Sequence, residues 1–281
     1  MTFLVGIWFW IPVLIILIPS TILHLRLLMT IRNGFAHSKS LFYRLFIVQS
    51  HLELPLLYFH LLGRLLIKDQ YAGRDFIIST NGSIFPSFYY YGTISFFLHV
   101  QTWGVILQST IRFVNICASE SRVYKIIDSA PNYVWYLTNT LLPFAMMSRL
   151  LFLESVSFDE NAALYTPPIV VQSNSLQGTT VTAFTAAFSA VCYAIMLRKI
   201  KTLKNKLTAS NYRMEKGYTL VGFALFLAQC AMTTSYLIIA FAANDNMPLV
   251  NTIRRIYILP ALLLTFINPW MLTLTNRTLR R

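Results

Sequence analysis

The amino-acid sequence predicts an all-α membrane protein, a bundle of seven transmembrane helices with its N-terminus outside, and three observations carry that prediction. Of the 281 residues, 56% are hydrophobic and only 12% are charged, a make-up too apolar for an ordinary water-soluble domain. Seven windows are apolar over the roughly 20 residues needed to cover a ~30 Å hydrocarbon core. Lys and Arg outnumber Asp and Glu by 23 to 10, and most of these cations fall on one alternating set of inter-window flanks. A basic excess also suits nucleic acid, but that reading needs a basic face on a soluble fold. Here the cations sit between long apolar runs, which points to membrane lipid as the partner and not to nucleic acid.

The first window runs over 3–23 and opens the chain without a basic leader region or a small-residue cleavage site, so it reads as a retained helix and not a signal peptide. The second, 45–67, is interrupted by His51, Glu53 and Pro55. The third, 88–111, starts aromatic and carries His99 and Gln101. The fourth, 133–153, holds Pro143 and Arg149, whose guanidinium must snorkel to the headgroups. The fifth, 179–197, is rich in small residues (Thr182, Ala183, Ala186, Ala187, Ser189, Ala190), as expected where helix backbones approach closely. The sixth spans 218–243, and the seventh, 256–274, contains Pro260 and Asn268-Pro269. There is no internal repeat, low-complexity tract or separate soluble domain, so 1–281 reads as a single transmembrane domain.

An odd number of spans puts the termini on opposite sides, and the positive-inside rule assigns them. Seventeen of the 23 cations lie on one set of flanks, including Arg112, Arg198, Lys199, Lys201 and Lys204, and six on the other. The richer set belongs in the cytoplasm, with the N-terminus outside. This topology places the sequon Asn81-Gly82-Ser83 in an outer loop, where Asn81 is a candidate glycosylation site. Cys117, Cys192 and Cys230 all lie in or beside apolar segments and read as buried small hydrophobes without a disulfide framework.

An ionisable group at the bilayer centre costs about 2.5–3.5 kcal/mol on insertion scales, so each one requires a reason. Glu53, near the middle of the second helix, either anchors an intramembrane polar site or is a neutral acid bonded to a neighbouring helix. His99 belongs to the same class. Arg112 closes the third helix, where it either snorkels or holds the inner ends of neighbouring helices in one of two arrangements. Asn268-Pro269 removes a backbone hydrogen bond and supplies an amide, which makes a hinge or a passive kink. The run from Arg198 to Lys216 continues the fifth helix out of the membrane as a basic surface, suited to anionic lipid or an acidic partner, or serving topology alone. Aromatic residues crowd the outer ends. Interface belts account for many of them, while Tyr91 and Tyr257 are candidates for a ligand pocket. His51, His60 and His99 show no HxxxH or HExxH spacing, there is no paired-carboxylate or Gly-rich phosphate motif, and neither a metal site, a cofactor nor an enzyme is expected.

Seven helices, an outside N-terminus, a basic third inner loop and a short tail resemble a G protein-coupled receptor. The sequence is more closely similar to the nematode serpentine chemoreceptors of the class gamma superfamily, class V (Srv). The residues behind this are Ser40-Leu41-Phe42-Tyr43-Arg44-Leu45-Phe46 with Glu53, Thr110-Ile111-Arg112-Phe113, Met214-Glu215-Lys216, and Asn268-Pro269. The resemblance implies a sensory receptor in the plasma membrane, including that of sensory cilia, which binds an external small molecule or peptide and engages a heterotrimeric G protein. It implies that Arg112 contacts the G protein and that Asn268 and Pro269 form the helix-seven switch. Leu272 stands where that switch carries tyrosine, Ile111 stands where related receptors place an acid before the arginine, and no cysteine pair ties the third helix to the second outer loop. The alternative reading is a multi-pass transporter or channel with Glu53 and His99 in a polar pathway; it lacks the inverted repeat and paired broken helices of such folds.

Overall fold

The computed structural model describes residues 2–34, 41–63, 74–153, 156–159, 164–203 and 209–275. The long helices are α1 (Thr2–Asn33), α2 (Leu41–Gly63), α5 (Phe97–Cys117), α7 (Asn132–Leu153), α8 (Pro168–Leu203), α9 (Ala209–Ala242) and α11 (Ile258–Thr275). Between them lie the short helices α3 (Arg74–Ser79), α4 (Phe85–Tyr90), α6 (Arg122–Ser129) and α10 (Met247–Ile256), and a two-strand antiparallel hairpin pairs β1 (Ser157–Phe158) with β2 (Leu164–Tyr165).

The segments 10–33, 41–62, 168–202, 220–242 and 247–274 are long and apolar enough to cross a membrane. Helices α5 and α7 are of comparable length but more polar. In α5 the polar residues face inward: His99, Gln101, Thr102, Gln108, Ser109 and Arg112 are all buried. Helix α5 packs on α2, α7, α8, α9 and α11, so its polar face finds partners instead of lipid.

Several helices extend past the apolar windows. Helix α1 continues to Asn33, α8 begins at Pro168 and α9 at Ala209. The windows register only the part that meets lipid, whereas the helix itself persists into water and into neighbouring chain. The third window is not one regular helix. It is α4, a π-helical turn over Tyr91–Phe96, and then α5. Ahead of the seventh window, α10 forms a separate cap. The Asn246 side chain accepts from the Leu249 amide at 3.0 Å, proline follows in the first turn, and Arg254 and Arg255 occupy the last, each where helix-end chemistry favours it.

The main apolar core joins α1, α2, α5, α9 and α11 through residues such as Val13, Leu57, Phe97, Leu225, Met232 and Ile258. Helices α8 and α9 form the most extensive pairing. Threonines on α8 satisfy their hydroxyls within the helix, as when Thr182 and Thr185 donate to the Gly178 and Val181 carbonyls at 2.8 Å. Thr233 Oγ1 then reaches across to Thr182 Oγ1 at 2.9 Å.

At two places this pair needs glycine. A Cβ on Gly178 would stand 2.8 Å from the Tyr236 ring, and one on Gly222 would stand 2.0 Å from the Tyr193 ring. Neither ring can sit where it does against a larger residue. All three cysteines are free; Cys192 is buried, while Cys117 and Cys230 are partly exposed.

Candidate functional site

The inward face of α5 organises three polar layers spaced along the bundle. At the end away from most cations, a cleft is lined by Tyr90, Asn174, Ser175, Tyr236, Ile239, Arg254 and Tyr257, and it encloses about 330 Å³ counting its open mouth. Asn174 of α8 fixes one wall. It accepts from Ser95 Oγ and donates to the Tyr90 hydroxyl, both at 3.1 Å. Tyr236 and Tyr257 meet edge to face at 5.3 Å. Beneath them His60 stacks on Phe97 at 5.5 Å and meets Tyr257 edge-on at 6.5 Å. The cleft thus draws on the end of α4, on α8, α9 and α10, and on Tyr257 between α10 and α11.

Tyr257 was expected at such a pocket and lines it. Tyr91 was expected beside it, but Tyr91 is wholly buried and is not among the lining residues; its neighbour Tyr90 takes that position. The change from α-helix to π-helix begins at Tyr91, and the wider turn resets which aromatic faces the cleft.

In the middle layer, Gln101 Nε2 donates to the Ala261 carbonyl at 2.9 Å and to Thr265 Oγ1 at 2.7 Å, tying α5 to α11. Buried Glu53 accepts from Gln49 Nε2 at 2.6 Å, and the same nitrogen reaches the Val100 carbonyl at 3.0 Å. Gly104 makes room for that amide, since a Cβ there would fall 2.0 Å from Gln49 Nε2. His99 Nδ1 donates back to the Ser95 carbonyl at 2.7 Å. Glu53 and His99 therefore serve separate local networks, and no bond joins them among the described residues.

In the layer nearest the basic end, Asn268 Nδ2 donates to Gln108 Oε1 at 2.7 Å, a second tie between α11 and α5. Trp270 Nε1 donates to Ser20 Oγ at 2.9 Å, bringing α1 into the same level. Arg112 is 6% exposed. Its guanidinium lies 4.5 Å from the centre of the Phe42 ring and donates to the Tyr193 hydroxyl at 3.4 Å. It links α2, α5 and α8 instead of reaching out to headgroups. Arg198, Lys199 and Lys201 stand exposed on the last turns of α8; Lys204 lies outside the described residues.

Two further cross-ties were not anticipated from the sequence. Arg44 at the start of α2 donates to the Ala130 carbonyl at 3.0 Å and to the Asp128 carbonyl, and pairs with the Asp128 carboxylate at 3.5 Å, holding the end of α6. At the opposite end, Asn81 uses both amide atoms on Phe158 of β1, donating to its carbonyl and accepting from its N–H at 2.8 Å each. The nitrogen that would carry a glycan is thus engaged in anchoring the hairpin. Gln49, Gln108, Asn174 and Tyr193 were also missed. Gln101, Gln108 and Arg112 recur at helical spacing, and that periodicity was the available signal.

An apolar bundle with side-chain amides bonded across its centre, an aromatic cleft at one end and a basic face at the other defines a multi-pass membrane protein of the G protein-coupled receptor type. The chain belongs to the Srv family of serpentine type 7TM GPCR chemoreceptors, whose family model matches residues 10–281. That is a family of receptors rather than enzymes. No curated protein matches the chain.

Proposed function

We propose that this chemoreceptor lies in the plasma membrane, including that of sensory cilia, with its cleft facing outside, and that an external small molecule or peptide bound there activates a heterotrimeric G protein at the basic end. The observation that carries the reading is the stripe Gln101, Gln108 and Arg112 on α5, each bonded to a different part of the surrounding bundle between the cleft and the basic end. Interlocked side chains of this kind repack between discrete arrangements more readily than they deform continuously. A ligand favouring one arrangement shifts the population by its differential affinity, and moving from mostly off to mostly on takes about 5.5 kcal/mol.

In this scheme Arg112 holds α2, α5 and α8 in one arrangement and is released toward the G protein in the other. Asn268 and Pro269 provide the place where α11 changes its seating on α5. The exposed Arg198, Lys199 and Lys201, with Lys204 beyond them, offer positive charge to an acidic partner or to anionic lipid.

The test is a ligand panel applied to cells that report G protein activation. Arg112→Ala, at unchanged surface level, is expected to abolish the ligand-evoked response. A full response from that variant would remove Arg112 from the coupling role.

A further inference from the structure

A helix as short as α6 is marginal in water unless a packed face holds it. Its two ends are secured: the Ser121 hydroxyl accepts from the Tyr124 N–H at 3.1 Å, and Arg44 grips the far end at Asp128 and Ala130. Between them, none of its eight residues is buried. Ile127 is partly buried against the cluster of Leu41, Leu45, Val48, Ile111 and Trp135, but Val123 and Ile126 stand 56% and 69% exposed. Two large aliphatic side chains on a helix with no buried face call for a surface that covers them.

The arrangement of charge says which surface. At about 100° per residue, Val123 and Ile126 share one flank, Arg122 borders it, Lys125 follows, and Asp128 lies nearly opposite. Asp128 is already paired with Arg44 at 3.5 Å, and Glu120 lies ahead of the helix. Arg122 and Lys125 are exposed and form no ion pair among the described residues. An aliphatic flank edged by cations, on a helix of low overall hydropathy, is suited to lie along a membrane surface.

Two observations favour lipid over a protein partner. Helix α7 follows after only Ala130 and Pro131, and its outward residues Tyr133, Leu137 and Leu141 are exposed and apolar, so the aliphatic flank of α6 leads directly into a side that meets hydrocarbon. Lipid is also present in every state of the receptor, whereas a protein that comes and goes leaves the flank bare between visits.

We infer that α6 is an interfacial helix that binds anionic phospholipid, with Val123 and Ile126 among the acyl chains and Arg122 and Lys125 on the charged headgroups. Through Arg44 and Ile127 the leaflet then helps to seat the basic ends of α2, α5 and α7. This contact is separate from G protein coupling and is tested without any signalling step.

In a full chain whose three native cysteines are replaced by alanine, Ile126→Cys carries an environment-sensitive fluorophore. The protein is placed in nanodiscs of phosphatidylcholine, and of an equal mixture of phosphatidylcholine and phosphatidylserine. Quenching by nitroxide on the acyl chains is compared with quenching by acrylamide in the water. Lipid quenching is expected to dominate at Ile126→Cys and to strengthen with phosphatidylserine, while the same label at Lys201→Cys, on an exposed position of α8, is quenched by acrylamide. Lys125→Gln in the Ile126→Cys chain should raise the phosphatidylserine needed by about fivefold, the weight of one cation at an anionic surface. Adding Arg122→Gln should remove the phosphatidylserine effect.

Dominant acrylamide quenching at Ile126→Cys in both lipids overturns the inference, and its suppression by added G protein heterotrimer would assign the flank to a protein instead. Equal lipid quenching with and without phosphatidylserine overturns the choice of anionic lipid, as does an unchanged phosphatidylserine response in the doubly neutralised chain when its unfolding midpoint is intact.

Discussion

Asn268 and Gln108 show what a single polar pair does at membrane depth. Both are buried, and the donor nitrogen of one lies 2.7 Å from the acceptor oxygen of the other. Removing one partner strands the other in an apolar interior, so each single substitution should destabilise more than the double one. Interhelical hydrogen bonds in membranes average about 0.6 kcal/mol in double-mutant cycles, with a maximum near 1.7. We expect Gln108→Leu, Asn268→Leu and their combination to give a coupling within that range, read from unfolding midpoints in nanodiscs. Strict additivity would show that the pair does not link α11 to α5. Asn268 was visible in the sequence because an amide beside proline stands out in an apolar run. Gln108 was not, because nothing local says which helix will supply its partner.

At the scale of elements, the meeting of α8 and α9 near Arg112 depends on one absent side chain. Gly222 lets the Tyr193 ring approach α9 closely, and that ring positions the hydroxyl that Arg112 contacts. A methyl group at Gly222 would collide with rigid ring carbons, so Tyr193 must swing out or the helices must part. Overpacking of this kind costs about 1–3 kcal/mol. Gly222→Ala is expected to lower the unfolding midpoint and to change ligand-free signalling, whereas Tyr193→Phe, which keeps the ring and removes the hydroxyl, should change signalling with less loss of stability. An unaltered midpoint and basal signal in Gly222→Ala would show that the seating of Tyr193 on α9 does not hold Arg112 in place. The small-residue character of this helix pair was legible in the fifth window, since close backbone approach selects for it. The π-helical turn was not, because Tyr91–Phe96 has a composition that an α-helix would accept equally well. Nor was α10 foreseen ahead of the seventh window, although Asn246 and the following proline were a readable start signal.

For the whole molecule, orientation in the bilayer decides which end meets ligand and which meets G protein, and the argument for it rests on charge. Seventeen of 23 cations lie on one set of flanks, and translocating them across the membrane is disfavoured far more than leaving them in the cytosol. The sequon at Asn81 is a poor reporter of this topology, since its amide is occupied by Phe158 and an unglycosylated chain would fit either orientation. Thiol labelling asks the question directly. In a chain whose three native cysteines are replaced by alanine, Arg255→Cys and Lys201→Cys place single thiols at exposed positions on opposite ends of the bundle. A membrane-impermeant maleimide added to intact cells should label Arg255→Cys and should reach Lys201→Cys only after permeabilisation. The reverse pattern would turn the bundle over, put the aromatic cleft in the cytosol, and leave Arg112 facing a side where no G protein is present.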